Sequence, residues 1–225
     1  MRLVFNCIES PIDVAAGMPH VLEVENRKLF CRVCRTLLPE TKDERDCVTL
    51  WDGEEGISKS NTLILIGDPL RLPWEERRLG GQLHSVIEAL INEDEELRLR
   101  IENTEKQMRG LISRASFHID GEYHFDLEWG MSRFLKTYSY VIDRCEDGPY
   151  LESFISFLDF VSDMKFKGIL AFIGLKNFLG TDELIEAYER IFFHELNVIL
   201  LEREHDTRRF VREVKTYVNL QLLEE

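Results

Sequence analysis

The feature that most constrains the fold is a seven-residue repeat of apolar side chains in the middle of the chain. Residues 82–115 contain no proline and a single glycine. A four-three spacing within them selects Leu83, Ile87, Leu90, Asp94, Leu97, Ile101, Thr104, Met108 and Leu111. A repeat of about 3.5 residues indicates a coiled-coil seam, because a helix on a globular core would drift to about 3.6. The sequence predicts one long helix here, and such a seam favours oligomerisation.

On both sides of this repeat, short strand-like segments alternate with helix-like ones. The strand-like segments, rich in β-formers, are residues 3–5, 20–25, 48–52, 61–68, 169–174, 197–204 and 217–223. Helices are expected over residues 26–38, 150–166 and about 181–195. Apolar strands separated by helices indicate a parallel sheet buried on both faces. We predict an α/β fold whose head comprises residues 1–80 and 167–225, with a helical leg of residues 81–166 inserted between them.

The charge balance is acidic. The chain of 225 residues carries 28 Lys and Arg against 42 Asp and Glu, a formal net charge of -14. This total argues against a nucleic-acid partner but does not exclude one, because the field at one groove matters more than the sum. The longest apolar runs fall far short of the ~20 residues of a membrane span, and the N-terminus lacks a signal-peptide core. We expect a cytoplasmic protein without membrane contact.

One strand-turn-helix segment, "GILAFIGLKNFLGTDEL" (168–184), has the outline of a phosphate-binding loop. The chain nowhere contains GxxxxGK[ST], the pattern whose amides and lysine hold phosphates. Asp182 and Glu183 occupy the first helical turn, where they use the favourable dipole and repel an anion. We predict a helix capped by Thr181 and no nucleotide, with Lys176 the one residue of this loop to test against DNA.

Other patterns associated with catalysis are weak. Asp68 ends a buried strand, a position where α/β folds often place a functional carboxylate. Because Pro69 follows it directly, the alternative is that Asp68 only forms part of a turn. The six histidines are scattered, "HELNV" at His194 is not HExxH, and no GxSxG elbow occurs. The sequence therefore predicts a protein that is not an enzyme.

Cysteine and carboxylate groups offer two possible metal sites. Cys31 and Cys34 form a lone CxxC pair at helical spacing, and we expect them to be buried core thiols. Four carboxylates lie within "HIDGEYHFDLEW" (118–129), namely Asp120, Glu122, Asp126 and Glu128. Hard oxygens of this kind suit calcium, although the spacing is not that of an EF-hand and solvated surface acids are the alternative.

Several long segments keep one familiar order along the chain. They run from "LVFNCIESPIDVAAGMPHVLEVENRKLFCRVCRTL" through "LILIGDPL" and "LHSVIEALINEDEELRLRIE" to "LESFISFLDFVSDMKFKGILAFIGLKNFLGTDELIEAYERI" and "LNVILLERE". This order resembles the Csn2 family, the adaptation proteins of type II-A CRISPR-Cas systems, over nearly the whole chain. The resemblance implies a head related to P-loop nucleotide hydrolases, without their nucleotide chemistry, and a coiled-coil-like helical leg.

The resemblance also implies a function. It implies a homotetrameric ring that binds linear double-stranded DNA through its central hole during acquisition of new spacers. The implied companions are the CRISPR integrase proteins and the RNA-guided effector nuclease. Structural calcium would be held by the four carboxylates of residues 118–129. The candidate DNA contacts are the nearest basic residues of the head, Arg27, Lys28, Arg32, Arg35 and Lys59, together with Lys176. The alternative is a DNA-independent scaffold that binds partner proteins through acidic legs.

Overall fold

The computed structural model describes residues 1–38, 48–125, 130–138 and 148–221. The elements in chain order are β1 (Arg2–Phe5), β2 (Ile12–Asp13), β3 (His20–Val24), α1 (Arg27–Thr36), β4 (Val48–Asp52), β5 (Glu55–Ile57), α2 (Lys59–Thr62), β6 (Leu63–Ile66), α3 (Arg77–Glu93), α4 (Glu95–Ser116), α5 (Met131–Thr137), α6 (Tyr150–Asp163), β7 (Ile169–Ile173), α7 (Thr181–Phe193), β8 (Asn197–Glu202) and β9 (Val214–Val218). A short 3-10 turn, Leu175–Asn177, lies between β7 and α7.

The chain divides into two compact units. Unit 1 comprises Met1–Trp74 and Arg144–Glu225, and unit 2 comprises Glu75–Asp143. This division differs from the predicted boundaries, because α6 belongs to unit 1 rather than to the helical insertion. The reason is its apolar surface: Phe154, Phe157 and Val161 are all fully buried, and Trp74 packs edge-on against Phe157 at 5.3 Å.

Unit 1 is built on a five-stranded sheet in which every described pair is parallel. The strand order is β6-β7-β8-β3-β9. In the registers, His20 pairs with Ile199 and Val214, and Ile169 pairs with Leu63 and Asn197. The central strands are nearly continuous runs of buried residues, as expected for a parallel sheet covered on both faces. The predicted α/β fold class with a mostly parallel sheet is confirmed.

A second, antiparallel sheet of unit 1 has the order β2-β1-β4-β5. It shares a hydrophobic core with the parallel sheet through α1. Leu29 and Val33 on α1 are buried in the same cluster as Leu3 of β1 and Leu22 of β3. One face of α1 is thereby fixed against the core, and the opposite face is exposed.

Unit 2 consists of α3, α4 and α5, with α3 in contact with both of the others. The predicted single heptad helix is wrong: the helix breaks at Asp94, the one charged residue of the seam. Asp94 has an extended backbone, and its carboxylate accepts a hydrogen bond from the Leu97 amide, so it caps α4. In a continuous helix the Leu97 amide would bond to a backbone carbonyl, and here the Asp94 carboxylate replaces that carbonyl. The helix can therefore break at this position, where the apolar pattern is interrupted.

Several seam residues are exposed in the single chain. They are Leu90, Leu97, Met108 and Leu111.

Among the described residues, no helix has the length and apolarity needed to cross a membrane.

Candidate functional site

Unit 1 gathers charged side chains where its parallel strands end. The carboxyl ends of parallel strands meet at one edge of a sheet, which is where open α/β folds bind their ligands. Here β3, β8 and β9 end side by side, and the connection from β8 to β9 (residues 203–213) passes over the end of β3. The carboxyl-edge cluster consists of Glu23, Lys176, Glu202, Asp206, Glu213 and Lys215.

Lys176 joins the β7–α7 loop to this cluster. Its ammonium contacts the carboxylates of Asp206 at 3.3 Å and Glu213 at 3.0 Å, and its side chain is 6% exposed. Its backbone amide donates to Glu202 Oε1 at 3.0 Å. Burial raises the pKa of Glu202 to about 7, with nearby Glu23 and Asp206 acting in the same direction and the Lys176 contacts opposing it.

Lys215 fastens the β8–β9 connection to β3. Its ammonium donates to the carbonyls of Asp206 at 2.5 Å and Arg208 at 3.0 Å. The same nitrogen lies 3.1 Å from Glu23 Oε1 and 3.5 Å from Glu213 Oε1.

Two further residues of the β8–β9 connection, His205 and Arg208, form polar contacts that hold the connection in place. His205 Nδ1 lies 2.8 Å from Glu23 Oε2, and its ring packs against Tyr217 at 4.1 Å. Arg208 Nε donates to both carboxylate oxygens of Asp206. Burial pushes the pKa of Asp206 upward, but the hydrogen bonds from Arg208 outweigh it and lower that pKa to about 2. The connection is therefore tied down by charge although it contains no helix or strand.

This edge is filled by charged groups of the protein itself. At the β7–α7 junction, Glu183 Oε2 accepts from the Gly180 amide at 2.6 Å, so Gly180 is the N-cap, and Thr181, predicted to cap α7, is its first residue. Thr181 instead accepts a hydrogen bond from Arg208. Asp182 and Glu183 lie in the first turn of α7 as predicted, and Glu183 takes the Gly180 amide, so a phosphate here would face carboxylates.

The second strand-helix junction, between β3 and α1, is also closed. Only Glu25 and Asn26 separate strand from helix. The Asn26 side chain accepts from the amides of Lys28 and Leu29, at 3.0 and 3.1 Å. The amides that would bind a phosphate are thus already satisfied.

Four of the predicted DNA-contacting residues share one exposed face of α1. Arg27, Lys28, Arg32 and Arg35 are all exposed, and α1 contains no acidic residue. At 3.6 residues per turn they fall within an arc of about 140° over a rise of about 12 Å. We name this surface the α1 cationic face.

The two other predicted DNA contacts lie elsewhere. The Lys59 ammonium donates to the carbonyls of Thr36 and Leu38 at 2.7 Å, so it binds the end of α1. Lys176 lies in the carboxyl-edge cluster, paired and almost fully buried. The structure therefore places four candidates together and engages these two in internal contacts.

Of the predicted calcium ligands, Asp120 and Glu122 are exposed, and Asp126 and Glu128 lie outside the described residues. Within residues 1–38, 48–125, 130–138 and 148–221, no group of three or more His, Cys, Asp or Glu side chains is arranged to hold a metal ion. The described acids of this segment do not by themselves form a calcium site.

Two further sequence predictions are decided by the local structure. Asp68 accepts a hydrogen bond from the Leu70 amide at 3.1 Å, so it stabilises its own turn. Cys31 is exposed on the α1 cationic face, which makes the prediction of a buried thiol wrong for this residue. Cys34 is half-buried, and burial raises its pKa to about 12.

Sequence reasoning missed most of the carboxyl-edge cluster. Its acids could have been suspected at Glu23 and Glu202, because each is a charged residue within or directly after a continuous apolar strand, "HVLEV" and "NVILLE". Such residues are rarely buried unless paired. Asp206, Glu213 and Lys215 carry no comparable signal, since they lie in a charged, irregular segment.

Comparisons with known proteins agree with this architecture. Among solved structures, 16 chains match. One is the crystal structure of Stu0660 of Streptococcus thermophilus, with 15% sequence identity and a TM-score of 0.61, covering 89% of this chain and 68% of that one. At this identity the likeness shows the fold alone. No curated protein matches. The family described as CRISPR-associated protein (Cas_Csn2) matches residues 42–219, which is most of the chain. The chain therefore belongs to the Csn2 family of CRISPR-associated proteins.

Proposed function

We propose that this protein binds linear double-stranded DNA without cleaving it, as a homotetrameric ring, during acquisition of new CRISPR spacers. The observation that carries the proposal is the α1 cationic face. It places four positive charges and no negative charge on one short helix of a chain whose formal net charge is -14. Such local segregation of charge gives a field that attracts phosphates even though the whole protein is acidic.

Symmetry would make this modest charge effective. If each of four subunits aimed two or three of these cations at the DNA, the ring would neutralise roughly 8 to 12 phosphates. The logarithm of the affinity would then fall against the logarithm of the salt concentration with a slope of about -0.9 per contact. Contacts to phosphates carry no base information, so the binding would be independent of sequence.

A non-catalytic role fits the carboxyl edge of the sheet. Asn26 accepts from two amides at the start of α1, Glu183 accepts from the Gly180 amide before α7, and the edge between these junctions contains buried carboxylates. We expect calorimetric titration with ATP to give no binding heat. Saturable binding of ATP would favour a nucleotide hydrolase instead.

The second candidate is a DNA-independent scaffold. It is favoured by the acidic start of α4, where Asp94, Glu95 and Glu96 are exposed. Such a surface would bind a basic partner protein. In either case the proposed partners are the CRISPR integrase proteins and the RNA-guided effector nuclease, in the cytoplasm.

Charge reversal on the α1 cationic face separates the two candidates. The double variant R32E/R35E keeps the buried face of α1 and should lower the affinity for a linear 30-base-pair duplex by at least about 100-fold at 0.1 M salt. Its salt slope should also become shallower by about 0.9 per lost contact.

The matched control is R100E/K106E, which makes the same change in net charge on exposed positions of α4. This control tests whether the charges of α1 matter more than charges elsewhere, and the unmodified protein tests whether DNA binds at all. DNA binding that R100E/K106E weakens as much as R32E/R35E would contradict the assignment to α1, and no measurable DNA binding by the unmodified protein would favour the scaffold.

Assembly and calcium are tested by mass in solution. We propose that the tetramer forms through the exposed seam residues of unit 2 and that calcium binds the acids of residues 118–129. Light scattering with calcium and with chelator should give four times the chain mass of 26.5 kDa. Equal affinity for closed circular and linear DNA would contradict a threaded ring, as would a monomer under both conditions.

A further inference from the structure

The Lys215 ammonium lies in a cage of four oxygens at the carboxyl end of β3. Two are backbone carbonyls of the β8–β9 connection, Asp206 at 2.5 Å and Arg208 at 3.0 Å. The other two are carboxylate oxygens, Glu23 Oε1 at 3.1 Å and Glu213 Oε1 at 3.5 Å. We name these four oxygens the lysine cage. Each comes from a different residue, so the cage exists only when the connection is folded onto the sheet.

The carboxylates of the cage are buried and have no hydrogen-bond donor at the oxygens that face Lys215. The side chains of Glu23 and Glu213 are 0% and 3% exposed. Glu23 Oε1 and Glu213 Oε1 both lack a hydrogen-bond partner, so their contacts to the ammonium are ionic and not hydrogen-bonded. A buried carboxylate oxygen without a donor costs free energy unless a cation stands opposite it. Both oxygens therefore need the positive charge at this point.

The position of that charge is fixed by the sheet. Lys215 lies on β9, paired with Val21, and Glu23 lies two residues further along β3 on the same face. The lysine therefore reaches the carboxyl edge of the sheet from a neighbouring strand, at a place where open parallel sheets hold ligands.

We propose that the lysine cage is a binding site for a primary ammonium group. In the folded protein the side chain of Lys215 occupies this site. The bound ammonium closes the β8–β9 connection over the end of β3. The cage matches a primary ammonium because its two carbonyls accept N–H hydrogen bonds and its two carboxylate oxygens supply the opposite charge.

Chemical rescue tests the site. The substitution Lys215→Ala removes three carbons and the nitrogen, the same atoms that n-propylammonium supplies. We expect K215A to lower the Tm by about 10 °C, because it leaves Glu23 Oε1 and Glu213 Oε1 buried with no cation opposite them. The other oxygen of Glu213 keeps its contact with Lys176 in this variant. Propylammonium chloride at tens of millimolar should restore about half of that loss. Tetramethylammonium chloride at equal concentration carries the charge without N–H donors and should restore none.

Two controls make the result specific. K167A removes an exposed lysine of the same unit and should leave the Tm unchanged, with or without propylammonium. E23Q/K215A removes a carboxylate together with the lysine, so it should be more stable than K215A and insensitive to propylammonium. If K215A does not fold by itself, refolding in propylammonium but not in tetramethylammonium would support the site.

Three results would overturn the proposal. One is a Tm of K215A within about 2 °C of K167A. Another is equal stabilisation of K215A by the two ammonium salts. The third is a K215A that refolds in neither salt while E23Q/K215A folds and responds to both equally.

Discussion

Glu202 offers the most quantitative test of the carboxyl-edge cluster. Burial raises its pKa from an ordinary value of 4.5 to about 7. The folded state therefore binds a proton here more tightly than the unfolded state does. As pH rises from about 4.5 to about 7, the unfolded chain loses this proton first, so the stability of the folded state falls through this window.

Substitution by glutamine removes that pH-dependent loss. Glu202→Gln keeps the volume of the side chain and retains an oxygen to accept the Lys176 amide, which donates to Glu202 Oε1 at 3.0 Å. A difference of about 2.5 pKa units at about 1.36 kcal/mol each gives a gain of at most about 3 kcal/mol at pH 8. For a chain of this size the gain corresponds to a rise in Tm of up to about 6–12 °C.

The assay is thermal unfolding of both proteins from pH 5 to pH 8. The Tm of E202Q should exceed that of the unmodified protein at pH 8, and the difference should shrink steadily as the pH falls from 7 to 5. Glu204→Gln is the control, because Glu204 is 77% exposed and pairs with Arg203 at the surface. It should change stability by no more than about 0.5 kcal/mol. A less stable E202Q at pH 8, or a difference that does not vary with pH, would refute the reasoning.

Three further predictions follow from individual contacts. Asn26→Ala should cost about 1 kcal/mol in chemical unfolding because it removes the cap of α1, and a variant as stable as the parent would contradict that role. Lys176→Met should lower the Tm while leaving DNA affinity per folded molecule unchanged in a binding titration, because the ammonium is paired inside the cluster; a large loss of affinity would instead assign it to the DNA. Amide substitution of Asp120, Glu122, Asp126 and Glu128 together should abolish calcium binding by calorimetry, and unaltered binding would place calcium elsewhere.

The sequence predicted the parallel sheet well because its strands are long apolar runs, a signal that local composition carries directly. It failed at Asp94, where a heptad pattern continued through a residue whose carboxylate caps a helix better than it fills a seam. It also assigned α6 to the helical insertion, whereas α6 belongs to unit 1. The apolar sequence of a helix indicates that it is buried but does not indicate which elements bury it. At Asp94 the deciding feature is a local hydrogen bond, and for α6 it is packing against residues that are distant in sequence.

The candidate site divides in the same way. The α1 cationic face could be read from spacing alone, because helical periodicity fixes which side chains share a face. For Lys176 the sequence predicts a DNA contact and not an internal ion pair, because its partners, Asp206 and Glu213, lie at least 30 residues away in sequence. Long-range ion pairs of this kind leave no periodic pattern, so only the fold brings them together.

The two sets of cations in unit 1 therefore have separate roles. Lys176 and Lys215 compensate buried carboxylates, and a phosphate could recruit them only by leaving those carboxylates buried without a counter-charge, which would cost several kcal/mol. The arginines and lysine of α1 are exposed at the surface instead. The proposed affinity for DNA would then come from exposed surfaces such as α1. Because this helix offers only four charges, the proposal requires several copies of the chain on one duplex.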